Sequence, residues 1–237
     1  MGETFSGSFT QQTPIPEDGI AASVAVMRSG RLHRYNVAPG EEGETAAFER
    51  EFAAATGARH ALAVASGGQA MAIALRAAGV GPGDAVLANA FTLAPVPGAI
   101  AAVGAVPVLV ETAEALTIDL DDLAAKLDRA RVLMVSHMRG HLCDMDRLME
   151  MCTAAGVAVI EDCAHTMGAA WRGVPSGRHG LAGCYSTQTY KHINSGEGGI
   201  VISDDADFMA RAPVLSGSYM LFDRHTAGPD AAAYGPD

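Results

Sequence analysis

The sequence has no excess of positive charge. Lys and Arg number 16 against 27 Asp and Glu, giving a net charge of −11 and a pI near 5.1. An acidic surface argues against nucleic acid or an anionic membrane as partner. A small phosphorylated ligand stays open, because one local site can oppose the global charge. No uninterrupted apolar run is long enough to span a bilayer. The polar start, MGETFSGSFTQQTPIPEDG, lacks the basic-then-apolar order of a secretory signal. A cytoplasmic protein is therefore expected. Cysteine is scarce: Cys143, Cys152, Cys163 and Cys184, with no CxxC pair. Such usage suits free thiols in a reducing compartment. His137, His141, Cys143 and Asp144 are all metal-capable, but their spacing fits no zinc pattern. No GxGxxG follows the first predicted strand, so the usual dinucleotide-binding turn is missing. Internal repeats and low-complexity linkers are absent as well.

What the 237 residues do hold is core. Hydrophobic residues make up 49% and charged residues 18%, a balance that suits one large, well-buried domain. Residues 1–43 are Gly-, Pro- and Ser-containing and weakly periodic, and read as an arm that wraps over the body or a partner. GETAAFEREFAAATG follows as an amphipathic helix, with Phe48 and Phe52 on one face and Gly57 closing it. From there strands and helices alternate. ALAVAS, AVLANA, AVPVLVE, RVLMVSHM and VAVIEDCA read as buried strands, separated by helical stretches. Regular alternation of this kind predicts an α/β fold, with a mostly parallel, doubly wound sheet flanked by helices. GRHGLAGCYSTQ and GGIVISD add two more predicted strands, joined by a loop containing TYKHINSGEG. The main domain is expected to span 44–220, with 221–237 as a loop-like end.

In open α/β sheets ligands bind beyond the carboxyl ends of the strands. Three segments there could carry chemistry. Ser66-Gly67-Gly68-Gln69 opens a helix after the first strand. Its glycines and helix N-terminus suit a phosphate, although a plain strand–helix turn needs the same residues. Glu161-Asp162-Cys163-Ala164-His165 ends the fifth strand. A carboxylate there can meet the pyridinium nitrogen of pyridoxal phosphate (PLP), or it can cap the next segment. Ser186 to His192 leads into Ser195-Gly196-Glu197-Gly198-Gly199. Most lysines are solvated. Lys191, in a Gly-flanked turn between two strands, could instead be buried and deprotonated, and so become a nucleophile.

Taken together these strings resemble the DegT-type, sugar-nucleotide aminotransferases, which have the fold-type I PLP architecture. The resemblance rests on ASGGQAMAIALRAAGVGPGDAVLANAFTLAPVPGAIAAVGAVPVLVE, VSHMRGHLCDMDRLMEMC, VAVIEDCAHTMGAAWRG and YSTQTYKHINSGEGGIVISDD, in the family's order. It runs from about Ser29 to Tyr219. It implies a PLP-dependent transaminase that moves an amino group from glutamate or glutamine to a keto-sugar, cyclitol or related ketone. By the resemblance Lys191 holds PLP as a Schiff base and shuttles the proton. Asp162 pairs with the pyridine nitrogen, and His165 sits near the ring. Ser186 binds the phosphate with the backbone at Gly67 and Gly68, where Gln69 follows. Glu197 shapes the lysine loop, and Arg31 to Tyr35 resembles a segment that reaches toward the site.

Two positions depart from the family pattern. Its SGT is SGG here, so Gly68 supplies no hydroxyl. Leu93 stands where an aromatic residue usually stacks on the ring, and Phe91 is expected to face the other way on a strand. Family members also continue into a C-terminal small domain that has no counterpart in these residues. The expectation is a fragment, or one half of a split enzyme whose second chain supplies that domain; the resemblance also implies an active site at a homodimer interface. Two other readings are a non-catalytic PLP-binding or scaffolding subunit and a PLP-dependent sugar dehydratase. Dehydratases of that type replace the lysine with His, whereas Lys191 is present here.

Overall fold

A computed structural model describes residues 13–218, 221–225 and 228. The first twelve residues of the arm, Tyr219 and most of the expected C-terminal loop lie outside the described residues. Within the arm, α1 (Glu17–Ser29) is a helix that buries none of its residues. Composition reads this stretch as weakly periodic because no apolar stripe is needed where nothing is covered. Helix α2 (Glu44–Thr56) buries Glu49, Phe52 and Ala53 and ends on Gly57 at φ 73°, a left-handed cap that glycine adopts freely.

The body then alternates. It runs β1 (His60–Val64), α3 (Gly67–Ala77), β2 (Ala85–Asn89), α4 (Pro95–Ala102), β3 (Val106–Val110), α5 (Leu120–Ala124), β4 (Val132–Ser136), α6 (Met145–Ala155) and β5 (Ala158–Asp162). A two-stranded hairpin follows, β6 (Ala170–Trp171) with β7 (Val174–Pro175); sequence reading does not anticipate it. Then come β8 (Ala182–Ser186), β9 (Gly199–Ser203) and α7 (Ala206–Leu215). Short acceptor side chains start the helices: Ser66, Asp119, Asp144 and Asp205 each accept a first-turn N–H.

The main sheet has seven strands in the order β1-β9-β8-β5-β4-β2-β3. Six run parallel; β9 alone runs against its neighbours β1 and β8. Side chains alternate across each strand, so both faces are covered. Val132 and Met134 of β4 pack toward α3, α4 and α7, in a core with Ala74, Ile100 and Phe208. Leu133 and Val135 pack the other way, against Leu123 of α5 and Leu148 and Cys152 of α6. Phe52 of α2 closes a third cluster with Tyr185, Ile200 and Ile202. Each fully buried Leu or Phe in these layers contributes roughly 1.5–3 kcal/mol. No helix among the described residues is long and apolar enough to cross a membrane.

Phe91 does not lie on a strand. β2 ends at Asn89, and Phe91 sits in the bend that follows. Strand alternation therefore says nothing about where its ring faces.

Candidate active site

Strand register brings the chemistry to one edge. Ser136 ends β4 opposite Asp162, which ends β5, and Ser186 ends β8 opposite Gly199. Gly199 is also opposite Val64, the end of β1. The carboxyl ends of β1, β4, β5 and β8 thus form one rim, where ligands of such sheets bind.

Close backbone packing shapes the rim on the β1 side. A methyl group built on Gly199 would lie 2.3 Å from the Ser66 carbonyl. One built on Gly67 would lie 2.9 Å from Ser186 Cβ. Glycine at these two positions lets the start of α3 settle against Ser186. The Ser66 hydroxyl accepts the Gln69 N–H at 3.1 Å, and Gln69 Oε1 accepts the Ala65 N–H at 2.8 Å. Gln69 therefore closes the turn at the start of α3. Over Gly68 the space is open: an added methyl would meet only Ser66 Oγ, at 3.9 Å.

At the centre, Asp162 is 9% exposed. Its carboxylate accepts from Ser136 Oγ at 2.8 Å and from the Ala164 N–H at 3.1 Å. Ser136 is itself fixed by Asn89, which exchanges two 3.0 Å hydrogen bonds with its backbone. Asn89 and Ser136 escape sequence reading. Their only signal is position, each at the carboxyl end of a strand.

Lys191 follows β8. Its Nζ lies 2.9 Å from Nε2 of His165. Nδ1 of the same ring accepts the Arg139 backbone N–H at 3.2 Å. Burial lowers the Lys191 pKa, Asp162 opposes that, and the Arg139 guanidinium adds to it. Burial also lowers the His165 pKa, helped by the charge of Lys191. Together with Arg139, Ala164, Tyr190 and His192, these two side chains line a cavity of about 360 Å³. A larger groove, about 710 Å³, lies at the amino ends of β2 and β4, the opposite end of the sheet.

The lysine loop is pinned by backbone. Thr187 N–H donates to Gly198 O and Ser195 N–H to Thr187 O. Glu197 contributes its carbonyl, which accepts from Ser195 Oγ at 3.0 Å. Leu93 is 40% exposed and is not among the cavity walls. Tyr35 bonds Ser218 at 2.6 Å and Arg34 pairs with buried Glu49 at 2.7 Å. Residues 32–35 line a second cavity, about 390 Å³, whose wall includes Gln69.

Glu161, beside Asp162, is fully buried and faces the other way. It accepts the N–H groups of Gly177, His179 and Gly180 at 2.8–2.9 Å and bonds the rings of His137 and His179. Burial would raise its pKa; the bonds from His137 and His179 outweigh that and carry it far below the usual range. His137, Glu161 and Cys163 offer metal-capable atoms within 4.8 Å of one another. The oxygens of Glu161 already have their donors, so this cluster reads as a structural hub. Of the metal-capable residues near His137 in sequence, Asp144 caps α6. All four cysteines are free and buried.

The profile of the DegT/DnrJ/EryC1/StrS aminotransferase family matches residues 17–224. L-glutamine:scyllo-inosose aminotransferase of Streptomyces griseus is 35% identical over 223 residues, covering 91% of this chain and 51% of that protein. The 3-amino-5-hydroxybenzoate synthase of Amycolatopsis mediterranei is 41% identical over 167 residues, covering 69% and 43%. Among solved structures, a 3-amino-5-hydroxybenzoic acid synthase superposes with TM-score 0.79 at 33% identity, over 87% of this chain and 54% of that one. An aminotransferase from Psychrobacter cryohalolentis gives TM-score 0.79 at 29% identity, over 86% and 51%. The chain spans about half the length of the curated relatives it matches. With a lysine and an acidic residue on one rim of a sheet that superposes on these enzymes, and the family profile matching nearly the whole chain, the chain belongs to the DegT/DnrJ/EryC1/StrS aminotransferase family.

Proposed function

We propose that this chain is the PLP-binding part of an aminotransferase. It moves an amino group from glutamine or glutamate to a keto-sugar, cyclitol or related ketone. The names of the relatives support that substrate class. The pairing of Lys191 with His165, on the rim that carries Asp162, carries the reading.

The residues fit the cofactor. Gly67 and Ser186 pack closely enough to form a cradle at the start of α3, with open space above Gly68. Thr92 Oγ1, in the loop after β2, is shielded and without a partner among the described residues. Ser186 and the Gly67 and Gly68 backbone would hold the phosphate, Asp162 the ring nitrogen, and Lys191 the aldehyde carbon. When bound, PLP supplies an electron sink for the pair left on the substrate carbon.

The chain's own groups do the rest. Ser136 Oγ and the Ala164 N–H each bond one oxygen of Asp162 and fix its carboxylate at the rim. Lys191, with its lowered pKa, is a competent amine nucleophile and then a base for the proton at the substrate carbon. His165 orients Nζ. The arm and residues 216–218 wall the far side of Gln69. We further propose residues 44–220 as the cofactor-binding unit, 1–43 as an arm and 221–237 as a terminal loop. The rest of the active site would come from a second copy, a second chain or further residues of a longer polypeptide. The four free thiols favour a cytoplasmic setting.

The test is transfer from L-glutamine or L-glutamate to a keto-cyclitol, followed by mass spectrometry of the amine product. Lys191→Ala abolishes it; full activity in that variant would sink the proposal.

A further inference from the structure

Arg139 stands out beside the lysine. It occupies the turn after β4 at φ 58°, ψ 20°, followed by Gly140 at φ 88°. A left-handed conformation is unfavourable for a non-glycine residue and persists where surroundings demand it. Here the turn does two things. It aims the Arg139 N–H at Nδ1 of His165, and it brings the Arg139 side chain into the cavity wall with Lys191 and His192. Among the described residues no carboxylate pairs with the guanidinium. Several other arginines among them also lack an acidic partner; what distinguishes Arg139 is its place on the wall of the cavity that holds Lys191.

The cavity is therefore locally basic in a chain of net charge −11. Its walls are Arg139, Ala164, His165, Tyr190, Lys191 and His192, none of them acidic. The phosphate of PLP is not the anion that these groups await. Its cradle, at Gly67 and Ser186, is not part of this wall. The Arg139 guanidinium, next to the amine that meets the substrate carbon, is free to meet a second anion.

We propose that Arg139 binds the carboxylate of the amino donor. The inference rests on the aminotransferase reading and deepens it. An amino acid differs from the keto acceptor in bearing a carboxylate on the carbon whose nitrogen is exchanged. A guanidinium matches a carboxylate with two parallel N–H bonds. Reaching that group from beside Lys191 places the amino nitrogen at the reacting end. The same turn supports His165, so donor binding and lysine orientation share one backbone segment.

Two variants separate side chain from backbone. Arg139→Gly removes the guanidinium and suits φ 58° better than arginine does. Arg139→Lys keeps the charge without the fork. Glutarate, which is glutamate without its amino group, is titrated into the chain by calorimetry, with and without PLP. Arg139→Gly is expected to weaken glutarate by about tenfold or more, as loss of a charge-assisted bond does, and Arg139→Lys by less. In turnover the donor KM rises in Arg139→Gly while the acceptor KM stays. Equal glutarate affinity in wild type and Arg139→Gly overturns the assignment. Covalent capture of PLP by Lys191 is scored separately. Its absence in wild type would defeat the aminotransferase reading, whereas the glutarate titration without PLP would still decide the role of Arg139.

Discussion

Lys191 Nζ and His165 Nε2 are 2.9 Å apart, and the other nitrogen of the His165 ring is already committed to the Arg139 N–H. Nδ1 thus acts as an acceptor, so in the neutral ring the hydrogen sits on Nε2. Nε2–H can donate to Lys191 only if the lysine is a neutral amine with a free lone pair. Burial lowers the pKa of both groups.

Selective labelling follows from that pairing. The sequence has two lysines, Lys126 and Lys191. Lys126 is in an ion pair with Asp122 at 2.6 Å and also donates to the Leu109 carbonyl. A lowered pKa enlarges the neutral, reactive fraction of Lys191 at any pH below its ordinary value of 10.5. With limiting acylating reagent near neutral pH and no PLP added, peptide mapping should find Lys191 modified first. His165→Ala should reduce that preference.

The start of α3 makes a contrasting pair of substitutions. Gly67→Ala drives a methyl to within 2.9 Å of Ser186 Cβ. Overpacking of this kind costs about 1–3 kcal/mol, and here it also opens the phosphate cradle, so PLP affinity and thermal stability both fall. Gly68→Thr enters open space, where only Ser66 Oγ lies near, at 3.9 Å. It restores the hydroxyl of the family pattern and should tighten PLP by roughly fivefold, the worth of about one hydrogen bond. Fluorescence titration with PLP measures both.

Glu161 holds the rim from behind. Glu161→Gln replaces an oxygen with an NH₂ facing N–H donors, at a cost of about 3 kcal/mol in urea unfolding. The pH dependence has a definite sign. The folded-state pKa of Glu161 lies below its ordinary value of 4.5. Its stabilisation is fully present above that value and is lost as pH falls toward the folded value. Wild type should lose stability from pH 6 to pH 3 more steeply than Glu161→Gln.

Much of this arrangement is written in local sequence. Short, β-branched, two-sided apolar runs such as RVLMVS suit strands covered on both faces, and Val132 to Val135 pack that way. Lys191, Asp162 and Ser186 are legible because their strings sit at strand ends. The reversal of β9 is not legible, because GIVIS would be equally apolar in either direction. The β6–β7 hairpin is missed because two-residue strands carry no period. Arg139 and Ser136 look ordinary in VSHMRG. Their roles come from Asp162 and His165, more than twenty residues away, which only the pairing of β4 with β5 brings near.

The most direct measurement is borohydride reduction of the chain incubated with PLP, followed by peptide mapping. If Lys191 anchors the cofactor, a visible absorbance band forms, reduction removes it, and the pyridoxyl mass lies on Lys191 and not on Lys126. Label on Lys126, or no band at saturating PLP, would contradict the proposed site.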